Sequence, residues 1–445
     1  MCRTLTLQAR AFPLLNPTQL PTATLDAREA ALAHAIHDAV IRRWLTLSFL
    51  LEAASGRPMA DLEPPIRAVL LAGAAQLVLL DRIPAHAAID QSVEWAKRRI
   101  RPKAAGIVNA ILRRTNDLVA RDADGSPARR QRWSDADDEI PLSDASARVL
   151  TRPLIPVDPV HRLSILTSIP VRVLERWHQA GHAPRPRAAH ALTTPPTILN
   201  TRHAAANLPP ELAAAPHAAP HHHVWNASHH DLGGLLASRA DIWVQDPSSA
   251  ASVHLAHEFC SSLPAAGAPR LIADVCAGQG TKTRQLAALF PDAQILATDT
   301  DPQRLATLSG VFQDHPRVRV MPRDELAAEA LGRCDLVLLD VPCSNTGVLP
   351  RRPEARYRLT DRTLERMADV QRQIGADAIP LLATRGRILY ATCSLEPEEN
   401  QAMAAWFTRW HNLRQLAGRS IEPSGLPGDP ATSYHDGSYA VLLGR

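Results

Sequence analysis

From Asp26 onward, apolar residues return at helical spacing: Leu32, Ile36, Val40 and Leu47 share one face, and the period continues through Ile66–Leu80 and Ala87–Asn116. No strand pattern interrupts it, so residues 25–121 predict an all-α bundle. Residues 1–24 hold three prolines and little periodicity, which predicts a poorly ordered lead-in. Residues 122–157, rich in Asp, Ser, Pro and Arg, predict a linker. Order returns at Asp158, with Val173, Leu174 and Trp177 on a short helix and Thr194–Asn200 as a strand; residues 158–240 predict a small α+β subdomain. Beyond it, short apolar runs at Leu271–Val275, Gln294–Thr298, Val318–Met321, Asp335–Leu339 and Ile388–Ala391 alternate with helical stretches. That alternation predicts a Rossmann-like α/β domain over 241–445. Asp246 or Ser248 can cap its first helix, with Pro247 in the first turn, and Arg385-Gly386 is a turn signal before the last run. A helix from Thr363 to about Leu382, carrying Gln371 and Ile374, covers the sheet.

Composition narrows the function classes. The chain has 445 residues, 45% of them apolar, enough for several cores. No run approaches the ~18 apolar residues of a membrane span, and the first residues, with Arg3 and Arg10, lack a signal-peptide core, so a cytoplasmic protein is expected. The six cysteines form no Cys-x-x-Cys pair, which argues against a disulfide framework or structural zinc. A net charge of +4 is mild, but seven cations and no acid fall between Lys97 and Arg114, a candidate nucleic-acid face. The histidines between His217 and His230 lack a carboxylate or cysteine at ligand spacing and read as an exposed loop without metal.

Candidate chemistry lies at strand ends. Cys393 follows the run Ile388–Ala391, and Asp340 and Cys343 follow Asp335–Leu339, so two thiols and an acid are predicted at the carboxyl rim where open α/β sheets bind ligands. After Leu271–Val275 comes Cys276-Ala277-Gly278-Gln279-Gly280-Thr281-Lys282-Thr283, a glycine-bearing turn into a helix. About twenty residues on, Asp299 can accept the hydroxyls of a ribose. The spacing alone fits NAD or S-adenosylmethionine; no Gly-x-Gly-x-x-Gly is present. Arg351-Arg352-Pro353-Glu354, with Arg356 and Arg358 beyond, suits phosphate binding.

Asp340-Val341-Pro342-Cys343-Ser344 and Thr392-Cys393-Ser394, followed by Pro397-Glu398-Glu399-Asn400, resemble the paired motifs of the RNA cytosine-5 methyltransferases of the Sun and nucleolar-protein type. DNA cytosine-5 methyltransferases lack the second cysteine, so the resemblance implies an RNA partner and no DNA or membrane. Residues Asp81–Asp90, Val93–Lys97 and Ala105–Arg114 resemble the NusB-like RNA-binding domain that some relatives carry, although the family's first helix, before Asp26, is not recognisable. The accompanying domain points to 16S ribosomal RNA, with transfer RNA as the alternative.

The resemblance implies S-adenosylmethionine as cofactor, held by Cys276, Ala277, Gly278, Gly280, Lys282, Asp299, Arg304, Asp324 and Asp340. It further implies Cys393 as nucleophile, Cys343 as the thiol needed for product release, Asp340 as the group holding the base, and a catalytic share for Lys282. Relatives read Cys-Ala-Ala-Pro-Gly-Gly-Lys-Thr where this chain has Gly278, Gln279 and Thr281. That departure raises the rival reading of a non-catalytic RNA-binding or ribosome assembly factor.

Overall fold

The computed structural model describes residues 1–206, 208, 214–264 and 267–445. They divide into two compact units: Met1–Thr194 with Leu349–Thr360 and Leu426–Gly428, and Pro195–Val348 with Asp361–Gly425 and Asp429–Arg445.

The first unit begins with helices α1 (Cys2–Ala11), α2 (Ala27–Arg42), α3 (Trp44–Ser55), α4 (Pro64–Val78), α5 (Ala85–Arg99) and α6 (Pro102–Asp117). Helix α4 is the axis: Ile66, the run Ala68–Ala75, Leu77 and Val78 are buried, which its nearly unbroken apolar sequence requires. Asp26 opens α2 through a capping box with Glu29, and Pro102 at the start of α6 ends the preceding helix at Arg99. The lead-in predicted for residues 1–24 instead holds a helix over Cys2–Ala11. Helix α1 packs on α4, and Leu5, Ala9 and Leu15 are within 1% of complete burial. This is the first helix that the sequence hid.

The linker prediction for 122–157 also fails. Strands β1 (Arg129–Arg130), β2 (Glu139–Pro141) and β3 (Ala147–Val149) form an antiparallel sheet in the order β1-β3-β2, and Ile140, Leu150 and Ile155 join the helical core. Its charged residues are consumed internally. Buried Glu139 accepts from the amides of Ser134 and Ala136, and buried Arg148 donates to the carbonyls of Val78 and Pro127. Helices α7 (Pro159–Thr167), α8 (Val171–Gln179) and α9 (Pro184–His190) complete this unit. The subdomain drawn at 158–240 is thus split at Thr194.

In the second unit, strands β4 (Thr197–Asn200), β5 (Ala214–Pro216), β6 (His222–Trp225) and β7 (Trp243–Val244) form a small antiparallel sheet, order β5-β6-β4-β7, with helix α10 (His229–Ser238) before β7. The histidine tract is therefore not a plain exposed loop. His217 and His222 are buried, and His217 Nε2 lies 2.7 Å from the Tyr434 carbonyl.

The larger sheet is assembled from α11 (Pro247–Ser261), β8 (Leu271–Asp274), α12 (Thr281–Leu289), β9 (Gln294–Ala297), α13 (Pro302–Phe312), β10 (Val318–Val320), α14 (Arg323–Ala330) and β11 (Cys334–Asp340). After α15 (Ala355–Arg358), which belongs to the first unit, come α16 (Asp361–Ala378), β12 (Leu382–Thr392), α17 (Gln401–His411), β13 (Arg414–Ile421) and β14 (Ser438–Gly444). The strand order is β10-β9-β8-β11-β12-β14-β13; β8 to β12 run parallel, while β14 is antiparallel to both its neighbours. Alternate residues of β11 and β12 face opposite helical layers. Val337, Leu339, Ile388 and Tyr390 pack with Met403 and Phe407, and Leu336, Leu338, Leu389 and Ala391 with Val253 and Leu286.

Two local readings need correction. Arg385-Gly386 is no turn but the bulged first half of β12, where the register against β11 shifts. Arg356, offered as a phosphate ligand, is fully buried in the first unit. Its guanidinium donates to the carbonyls of Arg42, Thr167, Ala191 and Leu349. Among the described residues no helix is long and apolar enough to cross a membrane.

Candidate active site

In the large sheet the chain runs outward from β8 through β9 to β10, then returns to lay β11 on the other side of β8. The ends of β8 and β11 therefore flank the switch point at which open α/β sheets leave a crevice. Strand β8 delivers Asp274 and the turn Cys276–Gly280 to it; β11 delivers Asp340, and the neighbouring β12 delivers Cys393.

The turn after β8 is tight. Gly278 and Gly280 both have positive φ, +58° and +90°. A Cβ on Gly280 would stand 2.5 Å from the Phe312 ring, whereas Gly278 faces open space. The Gly278 amide donates to Asp299 Oδ2 at 2.9 Å and the Asp301 amide to Oδ1 at 2.8 Å. These bonds fix a buried carboxylate at the end of β9, each oxygen retaining a lone pair for a further donor. Ala277 is held by its amide to the Thr298 carbonyl at 2.9 Å. Burial, reinforced by the surrounding acids, pushes the Cys276 thiol far above its ordinary pKa, so it is a neutral wall of the turn. Arg304 and Asp324 are exposed at the starts of α13 and α14, and among the described residues neither side chain bonds to another candidate.

Lys282, the second residue of α12, reaches Asp340 Oδ2 at 2.8 Å. Burial pulls the ammonium down, but the charge and hydrogen bond of Asp340 outweigh it and the pKa ends above the ordinary value. A thiolate at Cys393 and the acid Asp274 add to the effect. A cation is thus held between two strand ends.

The two cysteines meet. Cys343 Sγ lies 3.3 Å from Cys393 Sγ, and Cys393 Sγ lies 3.3 Å from Asn345 Oδ1. Asn345 adopts a left-handed conformation, φ +62°, which asparagine tolerates better than most residues. The kink lets its amide also donate to the Cys343 carbonyl at 2.8 Å. Gly347 N donates to the Cys393 carbonyl at 2.9 Å, and a side chain there would collide with that same oxygen. The hydrogen bond with Cys393 and complete burial hold the Cys343 thiol well above its ordinary pKa, so it is a protonated thiol at neutral pH.

Several residues that surround the pair were not singled out from the sequence. Glu399, fully buried, accepts the Ser344 amide at 2.9 Å and the Gln371 side-chain amide at 3.1 Å. Ser344 Oγ also donates to it, and lies 3.0 Å from Ser394 Oγ. The signal was present: serines directly after both cysteines and an acid six residues after Cys393. Only the fold shows that they converge.

Residues 266–427 match the family described as 16S rRNA methyltransferase RsmB/F, and residues 5–117 match the NusB family. The chain is similar to ribosomal RNA small subunit methyltransferase B of Sodalis glossinidius, 28% identical over 97% of this chain and 92% of that one. To the protein of the same description from Xanthomonas campestris pv. campestris it is 30% identical, over 90% and 83%. The crystal structure of PH0851 shares the fold at a TM-score of 0.70 and 18% identity, covering 100% of this chain and 98% of that one.

Proposed function

Because the chain belongs to the ribosomal RNA small subunit methyltransferase B family, we propose that it methylates carbon 5 of a cytidine in 16S ribosomal RNA through a covalent adduct on Cys393. It is an RNA methyltransferase that uses S-adenosylmethionine. The observation that carries the finer reading is the pair of thiols 3.3 Å apart, on the rim that also holds Lys282 and Asp340.

Carbon 5 of cytosine is a weak nucleophile, and a thiolate adding at carbon 6 converts the ring to an enamine that is a strong one. A free cysteine is only about 3% thiolate at pH 7. The ammonium of Lys282, on the same rim, would favour a thiolate at Cys393. Asp340 accepts from the amino group of the base, and its protonated form would donate to ring nitrogen 3 as negative charge develops there. S-adenosylmethionine supplies the methyl group on a sulfonium that the enamine attacks. The residues after β8 fit such a group: the open side of Gly278 leaves space beside the backbone, and the free lone pairs of Asp299 suit ribose hydroxyls. Methylation leaves a proton on carbon 5 and a bond from carbon 6 to sulfur. Loss of that proton expels Cys393 as thiolate; the Cys343 thiol 3.3 Å away gives its own proton to the departing sulfur and, as thiolate, takes the proton from carbon 5. The cytidine must leave its stack to reach either thiol. The turn Cys276–Gly280 is the feature that could favour a binding factor without catalysis, yet its two glycines preserve a tight turn.

A denaturing gel tests this reading. Wild type, Cys393→Ala and Cys343→Ala are incubated with tritiated S-adenosylmethionine and unmethylated 16S rRNA or transfer RNA. Wild type is expected to label the ribosomal RNA, Cys393→Ala neither RNA, and Cys343→Ala to run as a slow protein–RNA adduct. Label with Cys393→Ala, or no adduct with Cys343→Ala, overturns the assignment; label on transfer RNA alone overturns the substrate.

A further inference from the structure

The release cysteine needs a fixed position relative to the nucleophile, and most of the bonds that fix it are distinct from those that hold the nucleophile. Cys393 sits at the end of β12, and its loop is stitched by several bonds. Thr392 Oγ1 donates to Asn400 Oδ1 at 2.6 Å, Asn400 Nδ2 to the Ser394 carbonyl at 2.9 Å, Gly347 N to the Cys393 carbonyl at 2.9 Å, and Leu395 N to Thr346 Oγ1 at 2.9 Å. None of these four passes through the Glu399 carboxylate, which meets this loop at the Ser394 side chain. The Cys343 loop differs. The residue after the thiol, Ser344, gives both its amide and its hydroxyl to Glu399. Gln371 Nε2, itself bonded to Glu399 Oε1, gives to the carbonyl of Pro342 at 2.9 Å. Glu399 therefore grips the residues on both sides of Cys343, one directly and one through Gln371. It sits beneath the thiols, fully buried, and no water-facing surface explains a carboxylate there.

We infer that Glu399 is a positioning residue for product release: its carboxylate clamps Pro342 and Ser344 so that Cys343 stands against the Cys393 sulfur, while methyl transfer does not depend on it. This rests on the covalent reading above. The chemistry agrees with the geometry. The Glu399 carboxyl, though burial raises its own pKa, adds to the forces that keep Cys343 protonated, behind the hydrogen bond to Cys393 and burial itself. The isosteric amide of Glu399→Gln would keep one acceptor for the Ser344 amide and turn its NH2 toward the Ser344 hydroxyl, which can also accept. Loss of the whole group would leave the Ser344 amide and the Gln371 amide without this acceptor in a buried place.

The experiment uses the full-length protein, tritiated S-adenosylmethionine and unmethylated 16S rRNA, with single-turnover methyl transfer, multiple turnover and adduct on a denaturing gel read separately. Glu399→Ala is expected to accumulate adduct at least about tenfold above wild type and to lose multiple turnover, while single-turnover transfer stays within about threefold. Glu399→Gln, near in shape, is expected to recover most of the turnover and to lose most of the adduct. Glu399→Ala combined with Cys393→Ala should form no adduct. A folded Glu399→Ala that loses adduct and transfer together, or turns over like wild type, overturns the inference. If Glu399→Ala does not fold, Ser344→Ala, which removes only the hydroxyl arm of the clamp, must show the same split between transfer and release, and equal loss of both overturns the inference. Cys343→Ala run in parallel separates the two failures. An adduct there with none in Glu399→Ala rejects the role of Glu399 alone, whereas no adduct in either rejects the covalent reading and this inference with it.

Discussion

Asp274 shows how a single side chain is tuned by position. It ends β8 with its carboxyl fully buried, one oxygen accepting from Thr283 Oγ1 at 2.7 Å. Burial raises its pKa to about 7, against the hydrogen bond from Thr283 and the nearby Lys282 ammonium, and with the charge of Asp340. In the unfolded chain the same carboxyl ionises near pH 4. Between these values the folded state binds the extra proton, so stability falls as pH rises through that window. Asp274→Asn cannot ionise. Its stability relative to wild type should climb by roughly 3–4 kcal/mol from pH 4 to pH 8. Urea unfolding of both proteins across that range measures it; a pH-independent difference would mean that the folded carboxyl ionises like the unfolded one.

Among the elements, α1 carries the sharpest test. It is amphipathic in an unusual way: beside Leu5 and Ala9, its buried face includes Thr4 and Gln8, and Gln8 Nε2 donates to the Asn16 carbonyl at 2.8 Å. Leu5→Ala should cost about 2–5 kcal/mol through lost burial and the cavity left against α4. Leu7→Ala, at 63% exposed, should stay within about 0.5 kcal/mol. Thermal melts of the two variants check this, and equal melts would return residues 1–24 to the status of a loose lead-in. The sheet β1-β3-β2 is ordered both by bonds such as those to Glu139 and by the burial of Ile140, Leu150 and Ile155, which no long apolar run announces.

For the whole molecule, a charge of +4 over 445 residues conceals a local asymmetry. The seven cations from Lys97 to Arg114 are exposed on α5 and α6 and the link between them. Arg98 and Arg101 are engaged with Glu94 and Glu63, which leaves Lys97, Arg99, Lys103, Arg113 and Arg114 as the candidates for phosphate contact. If Lys97, Lys103 and Arg114 each neutralise a phosphate of single-stranded RNA, replacing all three by Ala should lower the salt slope of RNA binding by about 2. Fluorescence anisotropy across a salt titration reads that slope; an unchanged slope would make these cations an ordinary solvated face.

Sequence alone determined what depends on local pattern. Helical spacing along α2 to α6 and the short apolar runs of β8 to β12 identified an all-α bundle and a parallel sheet. The cysteines after two strand ends, with Asp340, were legible as residues of the sheet's carboxyl rim. Tertiary structure decided what depends on partners distant in the chain. It placed the Cys343 and Cys393 sulfurs 3.3 Å apart across 50 residues and joined Lys282 to Asp340 across 58. It buried Arg356 among carbonyls when its residue type suggested a phosphate ligand. The division has one physical cause. Burial of apolar side chains repeats with the period of the helix or strand and is written along the chain. Satisfaction of a buried polar group depends on which partner the fold brings within about 3 Å, and no period records that.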